Sequence, residues 1–296
     1  MASQATRYGI IVGVDGSPAS DSAVAWAADD AAMHGVPLTL MRVENPTAPT
    51  WAQAPILEEL EGWQQAEGRS ILAHAFKIAH DIVPDDAGVQ INGELLFSAT
   101  VPTLIDLSGD ADLIVVGTDG RGALTRGLLG SVSSGLVRHA HCPVAVIREE
   151  HSPEPHSAHD PVLLGIDGSS TSELATKIAF DEASRRRVGL IALHAWCDRE
   201  LVELPGVDPS EVKTEEERLL AEALAGWQER YPDVVVTKLL VGDRPARALV
   251  DTSRSAQLLV VGSHGRNVLS RTVLGSVSNA VVQSARKPVI VARPSR

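Results

Sequence analysis

The sequence predicts an α/β protein of two tandem domains, each an open five-stranded parallel sheet with helices on both faces. Three observations predict it. A glycine-punctuated stretch, GTDGRGALTRGLLGSVS at Gly117 to Ser133, returns as GSHGRNVLSRTVLGSVS at Gly262 to Ser278, 145 residues on and identical at ten of seventeen positions. Self-similarity at that distance marks a repeat of domain size. In each half, apolar runs alternate with segments of near-helical apolar period. Runs that are apolar along their whole length imply a parallel sheet covered on both faces. Between the halves lies EEHSPEPHSAHD, rich in Pro, Ser and charge with no apolar periodicity, which reads as a linker. The predicted division is residues 1–148, a linker at 149–160, and residues 161–296.

Each half can be followed element by element. The first opens on YGIIVGVDGSPASDSAVAWAADDAA and the second on PVLLGIDGSSTSELATKIAFDEAS, each a strand, a D-G-S turn and a helix. Ser17 and Ser170 are the expected N-caps, with Pro18 suited to a first helical position. The strands PLTLMRV and LIALHAW follow, each leading through a long loop, with Trp51 in one and Pro205 and Gly206 in the other, to a charged amphipathic helix. A third strand is expected in VQINGELLF and VVVTKLLV, then short helices in VPTLIDLSG and RPARALVDTS. ADLIVVG and AQLLVVG are fourth, buried strands, and the glycine segments leave them directly for the helices SVSSGLVRHA and SVSNAVVQSA. CPVAVIR and KPVIVAR close the halves. A last strand of this kind, Pro143 to Ile147 or Pro288 to Val291, would be an exposed edge in isolation.

Composition narrows the function classes. With 296 residues, 44% hydrophobic and 22% charged, the chain is ordinary globular material long enough for two cores. A formal charge of −12 argues against broad attraction to nucleic acid or an anionic membrane. The N-terminus lacks the apolar run of a secretion signal and no stretch suits a spanning helix, so a cytoplasmic location is expected. Two cysteines, Cys142 and Cys197, fall at unmatched positions; they make no disulfide framework or zinc cluster and read as small buried hydrophobes. His139, His141 and the linker histidines lack metal-site spacing, while His34, His74 and His80 sit on expected helices in packing or surface roles.

The repeated glycine segments carry the functional signal. Ligands of open parallel sheets bind beyond the carboxyl ends of the strands, where connections diverge to opposite faces. Gly117, Gly120 and Gly130, and again Gly262, Gly265 and Gly275, remove side chains at that end, and Ser131 or Ser276 begins a helix whose unpaired amides favour an anion. Arg121 and Arg126 outweigh Asp119 in the first loop, and Arg266 and Arg271 stand in the second, so an acidic chain places positive charge here. The plainer reading is that glycines follow strands because turns need positive φ. Neither segment is a Walker A loop or a dinucleotide G-x-G-x-x-G.

The spacing G-x2-G-x9-G-[ST], met by Gly117, Gly120, Gly130 and Ser131 and again by Gly262, Gly265, Gly275 and Ser276, resembles the nucleotide loop of ATP-binding universal stress proteins. VGVDGS and LGIDGSS, and HCPVAVI and RKPVIVA, resemble the same family at the two ends of each half, so the likeness covers nearly the whole chain as a tandem pair. It implies an adenine nucleotide alpha hydrolase-like fold with strand order 3-2-1-4-5. It also implies one ATP site per domain, with Mg2+ at the phosphates.

Under that likeness Asp15 and Asp167, ending the first strands, face the nucleotide, through a ribose hydroxyl or the metal; otherwise each is a helix cap. Val43 and Ala195 offer backbone groups to adenine. The phosphates rest on Gly117, Gly120, Gly130, Ser131, Val132 and Ser133, and on Gly262, Gly265, Gly275, Ser276, Val277 and Ser278. Arg121 and Arg266 add charge-assisted bonds or are solvated loop residues. Asp119, where the second half has His264, would oppose an anion, so the second half is expected to bind at least as well as the first. Family members pair their last strands between domains, which implies a built-in dimer of the two halves and leaves open a homodimer of chains.

The function implied is a nucleotide-dependent regulator of stress response or growth acting on an unidentified protein partner. No set of base, positioned water and charge stabiliser stands out for hydrolysis, so at most weak ATPase activity is expected. Two other readings stay open: an enzyme that uses ATP for adenylyl or phosphoryl transfer, and a scaffold that binds no nucleotide.

Overall fold

The computed structural model describes residues 7–46, 54–118, 120, 129–149, 159–196, 209–242, 244–265 and 274–294. The chain forms two compact units, residues 1–150 and 151–294. The first runs β1 (Ile10–Gly13), α1 (Pro18–His34), β2 (Leu38–Glu44), α2 (Ala54–Ile82), β3 (Ile91–Phe97), α3 (Thr100–Leu107), β4 (Leu113–Gly117), α4 (Ser131–His139) and β5 (Val144–Ile147). The second repeats it as β6 (Val162–Gly165), α5 (Ser170–Arg186), β7 (Leu190–Ala195), α6 (Pro209–Arg230), β8 (Val236–Val241), α7 (Pro245–Thr252), β9 (Leu258–Gly262), α8 (Ser276–Ser284) and β10 (Val289–Ala292).

All strand pairs within a unit are parallel, in the order β3-β2-β1-β4-β5 in the first and β8-β7-β6-β9-β10 in the second. The connections from β1 and β2 step one way along the sheet and those from β3 and β4 step back. Right-handed crossovers therefore send α1 and α2 to one face and α3 and α4 to the other. The reversal falls between β1 and β4, and between β6 and β9, which opens a crevice at their carboxyl ends. Among the described residues no helix is long and apolar enough to cross a membrane.

The strands other than β3 and β8 are largely buried, with Ile11, Leu38, Leu40, Ile114, Ile147, Leu163 and Leu164 in the cores. β3 and β8 depart from the expected apolar character: they carry Asn92, Glu94, Thr237 and Lys238 and are half-exposed to exposed. β3 pairs with β2 and β8 with β7. Cys142 is buried as expected, while Cys197 lies outside the described residues.

The D-G-S turns hold one confirmation and one correction. Ser17 caps α1, its side chain accepting the Ser20 amide, and Pro18 takes the first helical position. The cap of α5 is Ser169 rather than Ser170; its hydroxyl accepts the Ser172 amide at 3.2 Å. In both turns the glycine, Gly16 or Gly168, adopts φ of 76° or 77°, which brings the serine that follows it into extended geometry at the helix start. Ser170 is then the first helical residue.

Candidate functional site

In the first unit the site begins with a carboxylate two residues past the end of β1. Asp15 Oδ1 accepts from the Ser17 amide at 2.9 Å and the Ser17 hydroxyl at 2.6 Å, while the Asp15 amide donates to Ser20 Oγ at 3.2 Å. The helix cap thus holds the aspartate by one oxygen. Its other oxygen faces the glycine loop, because a Cβ on Gly120 would stand 2.8 Å from Asp15 Oδ2. Gly117 answers to a different neighbour: a Cβ there would meet the backbone of Ala19 at 2.8 Å, so its bare backbone makes room for α1.

The loop is pinned at its neck. The Gly130 amide donates to Thr118 O at 2.7 Å, and the buried Ser133 hydroxyl lies 3.1 Å from Thr118 O and 3.2 Å from Gly130 O. The Gly130 amide and Ser133 hydroxyl are therefore engaged in closing the loop. What faces outward is the start of α4. Its first helical bond runs from the Ser134 amide to Gly130 O at 3.0 Å, so the amides of Ser131, Val132 and Ser133 precede the helical ladder, and among the described residues no side chain caps them.

The end of β2 supplies the remaining wall. Val43 is buried and its carbonyl accepts Thr100 Oγ1 at 3.2 Å. Arg42 reaches Val14 O through Nη1 at 3.3 Å and Glu44 through Nε at 3.0 Å. Asp15, Val43, Gly117, Gly120, Gly130, Ser131, Val132 and Ser133 line one cavity of about 120 Å3, with Met41, Leu104 and Val116 as apolar floor.

The second unit repeats this construction with substitutions. Asp167 Oδ1 accepts the Ser169 amide at 3.0 Å, and Oδ2 would lie 2.9 Å from a Cβ on Gly265. The Gly275 amide donates to Ser263 O at 2.8 Å and the Ser278 hydroxyl to Gly262 O at 2.6 Å. Thr171 replaces Ala19 and adds a hydroxyl bond to His264 O at 2.6 Å, a tie the first unit cannot make. Pro245 replaces Thr100, so no hydroxyl stands at that position over Ala195. The cavity here is about 230 Å3 and is lined by Asp167, Ala195, Gly262, Gly265, Gly275, Ser276, Val277 and Ser278, with Leu193, Leu249 and Val261 below them.

Every described residue expected at the two sites thus lies on one of these cavities. Arg121 and Arg266, like Asp119, lie outside the described residues. Sequence reasoning missed Arg42, Thr100, Leu104, Pro245 and Leu249, which also line the two cavities. Arg42 had a signal, since it is a charged residue within a mostly apolar strand; Leu104 and Leu249 had none, because they read as part of an ordinary apolar helix face.

The universal stress protein family model matches residues 9–148 and 159–293. A universal stress protein of Mycobacterium tuberculosis (strain ATCC 25618 / H37Rv) is 58% identical over 289 residues, covering 98% of each chain. A second from that strain is 51% identical over 295 residues, 100% of this chain and 99% of the relative. The crystal structure of a universal stress protein from Archaeoglobus fulgidus DSM 4304 superposes with a TM-score of 0.68 at 21% identity, covering 97% of this chain and 96% of that one. Two family matches in series, each spanning a unit with its own aspartate, glycine loop and cavity, show that the chain belongs to the universal stress protein family as a tandem of two such domains.

Proposed function

We propose that each unit binds ATP in the cavity at its sheet reversal, and that the protein is a nucleotide-dependent regulator of stress response or growth. The observation that carries this reading is the convergence, twice, of four different features on one cavity: an aspartate, a pinned glycine loop, an uncapped helix start and an apolar strand end. The chemistry of each fits one part of the nucleotide. The free amides of Ser131 to Ser133, or of Ser276 to Ser278, suit phosphate oxygens. Val43 with Leu104, or Ala195 with Leu249, offers apolar surface to a flat base. Asp15 and Asp167, each held through Oδ1 and turned to the loop through Oδ2, suit a ribose hydroxyl or a phosphate-bound Mg2+.

The roomier cavity and the extra Thr171 tie support binding in the second unit at least as strong as in the first. Calorimetric titration with ATP beside AMP and GTP tests the proposal. ATP should bind at two sites per chain, with AMP weaker for want of the outer phosphates; no heat at millimolar ATP would refute it. Turnover should be slow or absent, and phosphate release of many per second would reject the regulatory reading in favour of an enzyme.

A further inference from the structure

In each unit the carbonyl one residue before the site aspartate is held by a side chain from the neighbouring strand. Arg42 Nη1 holds Val14 O at 3.3 Å, and His194 Nδ1 holds Ile166 O at 2.7 Å. The two side chains occupy the same register, each following the residue, Met41 or Leu193, that pairs with Gly13 or Gly165. Each is also tied to a carboxylate. Arg42 meets Glu44 of its own strand at 2.9 Å, whereas His194 Nε2 meets Glu216 of α6 at 2.8 Å.

Arginine keeps all its donors at every physiological pH, and histidine does not. Ile166 O can only accept, so Nδ1 must carry a proton. The contact between Nε2 and Glu216 needs a second proton, whichever partner holds it. Without that proton a lone pair of the ring faces a carboxylate, or the ring turns and Ile166 O loses its donor. His194 is 6% exposed, so most of the ring is shielded from bulk solvent.

We propose that His194 is a pH-sensitive positioning residue: with its second proton it ties Asp167 to α6 and holds the second nucleotide site in shape, and loss of that proton weakens this site alone. Arg42 makes the first site its pH-independent counterpart. The inference rests on the ATP reading above.

Among the described residues the charged surroundings of the ring are few. Asp167 and Glu222 share with it a second cavity, of about 430 Å3, beside α6. On α6, Arg218 is bound to Glu222 and Glu215, and the Lys213–Glu217 pair is exposed. From β8, Leu240 pairs with His194, and Lys238 two residues away is exposed. From α5, Thr176 and Phe180 are buried and Glu173 and Lys177 exposed, and β6 brings no charge.

The test uses the full chain in two backgrounds, Asp15→Ala to read the second site and Asp167→Ala to read the first. ATP is titrated calorimetrically from about pH 5.5 to about pH 8.5, the range that brackets histidine titration. Second-site affinity should fall with rising pH by on the order of fivefold to tenfold relative to the first. Protonation of ATP itself is common to both sites and cancels in the ratio. His194→Arg should flatten the ratio. So should Glu216→Gln, whose amide can donate to the neutral ring nitrogen. Equal slopes at the two sites, or a slope that survives both substitutions, overturns the proposal. Hydrogen exchange of α6 and of the Asp167 to Ser169 amides is followed without nucleotide: protection should drop at high pH in the parent chain and persist in Glu216→Gln. If ATP binds nowhere, the ATP reading fails, and this exchange difference alone decides the switch.

Discussion

One methyl group separates the roles of the site glycines. A Cβ at Gly120 or Gly265 would crowd only the tip of an aspartate side chain, at 2.8 or 2.9 Å, and that tip can swing away. Gly265→Ala should therefore leave the urea midpoint nearly unchanged and weaken ATP binding by on the order of tenfold, by turning Asp167 from the loop. A Cβ at Gly117 would instead strike the backbone of Ala19 at 2.8 Å, which has no such freedom. Gly117→Ala should cost about 1–3 kcal/mol of stability in urea unfolding, as overpacked cores do. If the two substitutions behave alike, the division between loop glycine and packing glycine is wrong.

At the scale of elements, helix starts decide both architecture and site. Ser17 and Ser169 do two things at once, capping α1 and α5 and, in each turn, donating a backbone amide to the aspartate. Ser169→Ala should lower stability by about 1 kcal/mol. Ser170→Ala, at an exposed first helical position, should stay within about 0.5 kcal/mol of the parent in the same denaturant curve. The α4 and α8 starts are the reverse case: glycine stands at the cap position and, among the described residues, no side chain caps their first amides. Those amides, ahead of the helical ladder and at the cavity, are what an anion would meet.

For the molecule as a whole, two sites in two units predict two linkages. ATP at a hundred times its dissociation constant should stabilise a unit by about 2.7 kcal/mol. Asp15→Ala and Asp167→Ala should each remove the gain from one unit and leave the other, and the double variant should lose the ATP-induced rise in unfolding temperature altogether. Full retention of that rise in the double variant would place the ligand elsewhere.

The sequence by itself determined the repeat, the alternation of strands and helices and the location of the glycine loops, because hydrophobic period and turn chemistry are local properties of the chain. It misplaced one cap by a residue, since two adjacent serines, Ser169 and Ser170, differ only in backbone angle. What only the tertiary structure decided is which neighbour each site residue answers to. That Gly117 makes room for Ala19, that the Gly130 amide closes a loop on Thr118, and that Arg42 and His194 grip the same carbonyl in the two units are facts of contact between segments distant in sequence. Such contacts leave no periodic trace; they exist only once parallel strands in a set register bring those segments within hydrogen-bonding reach.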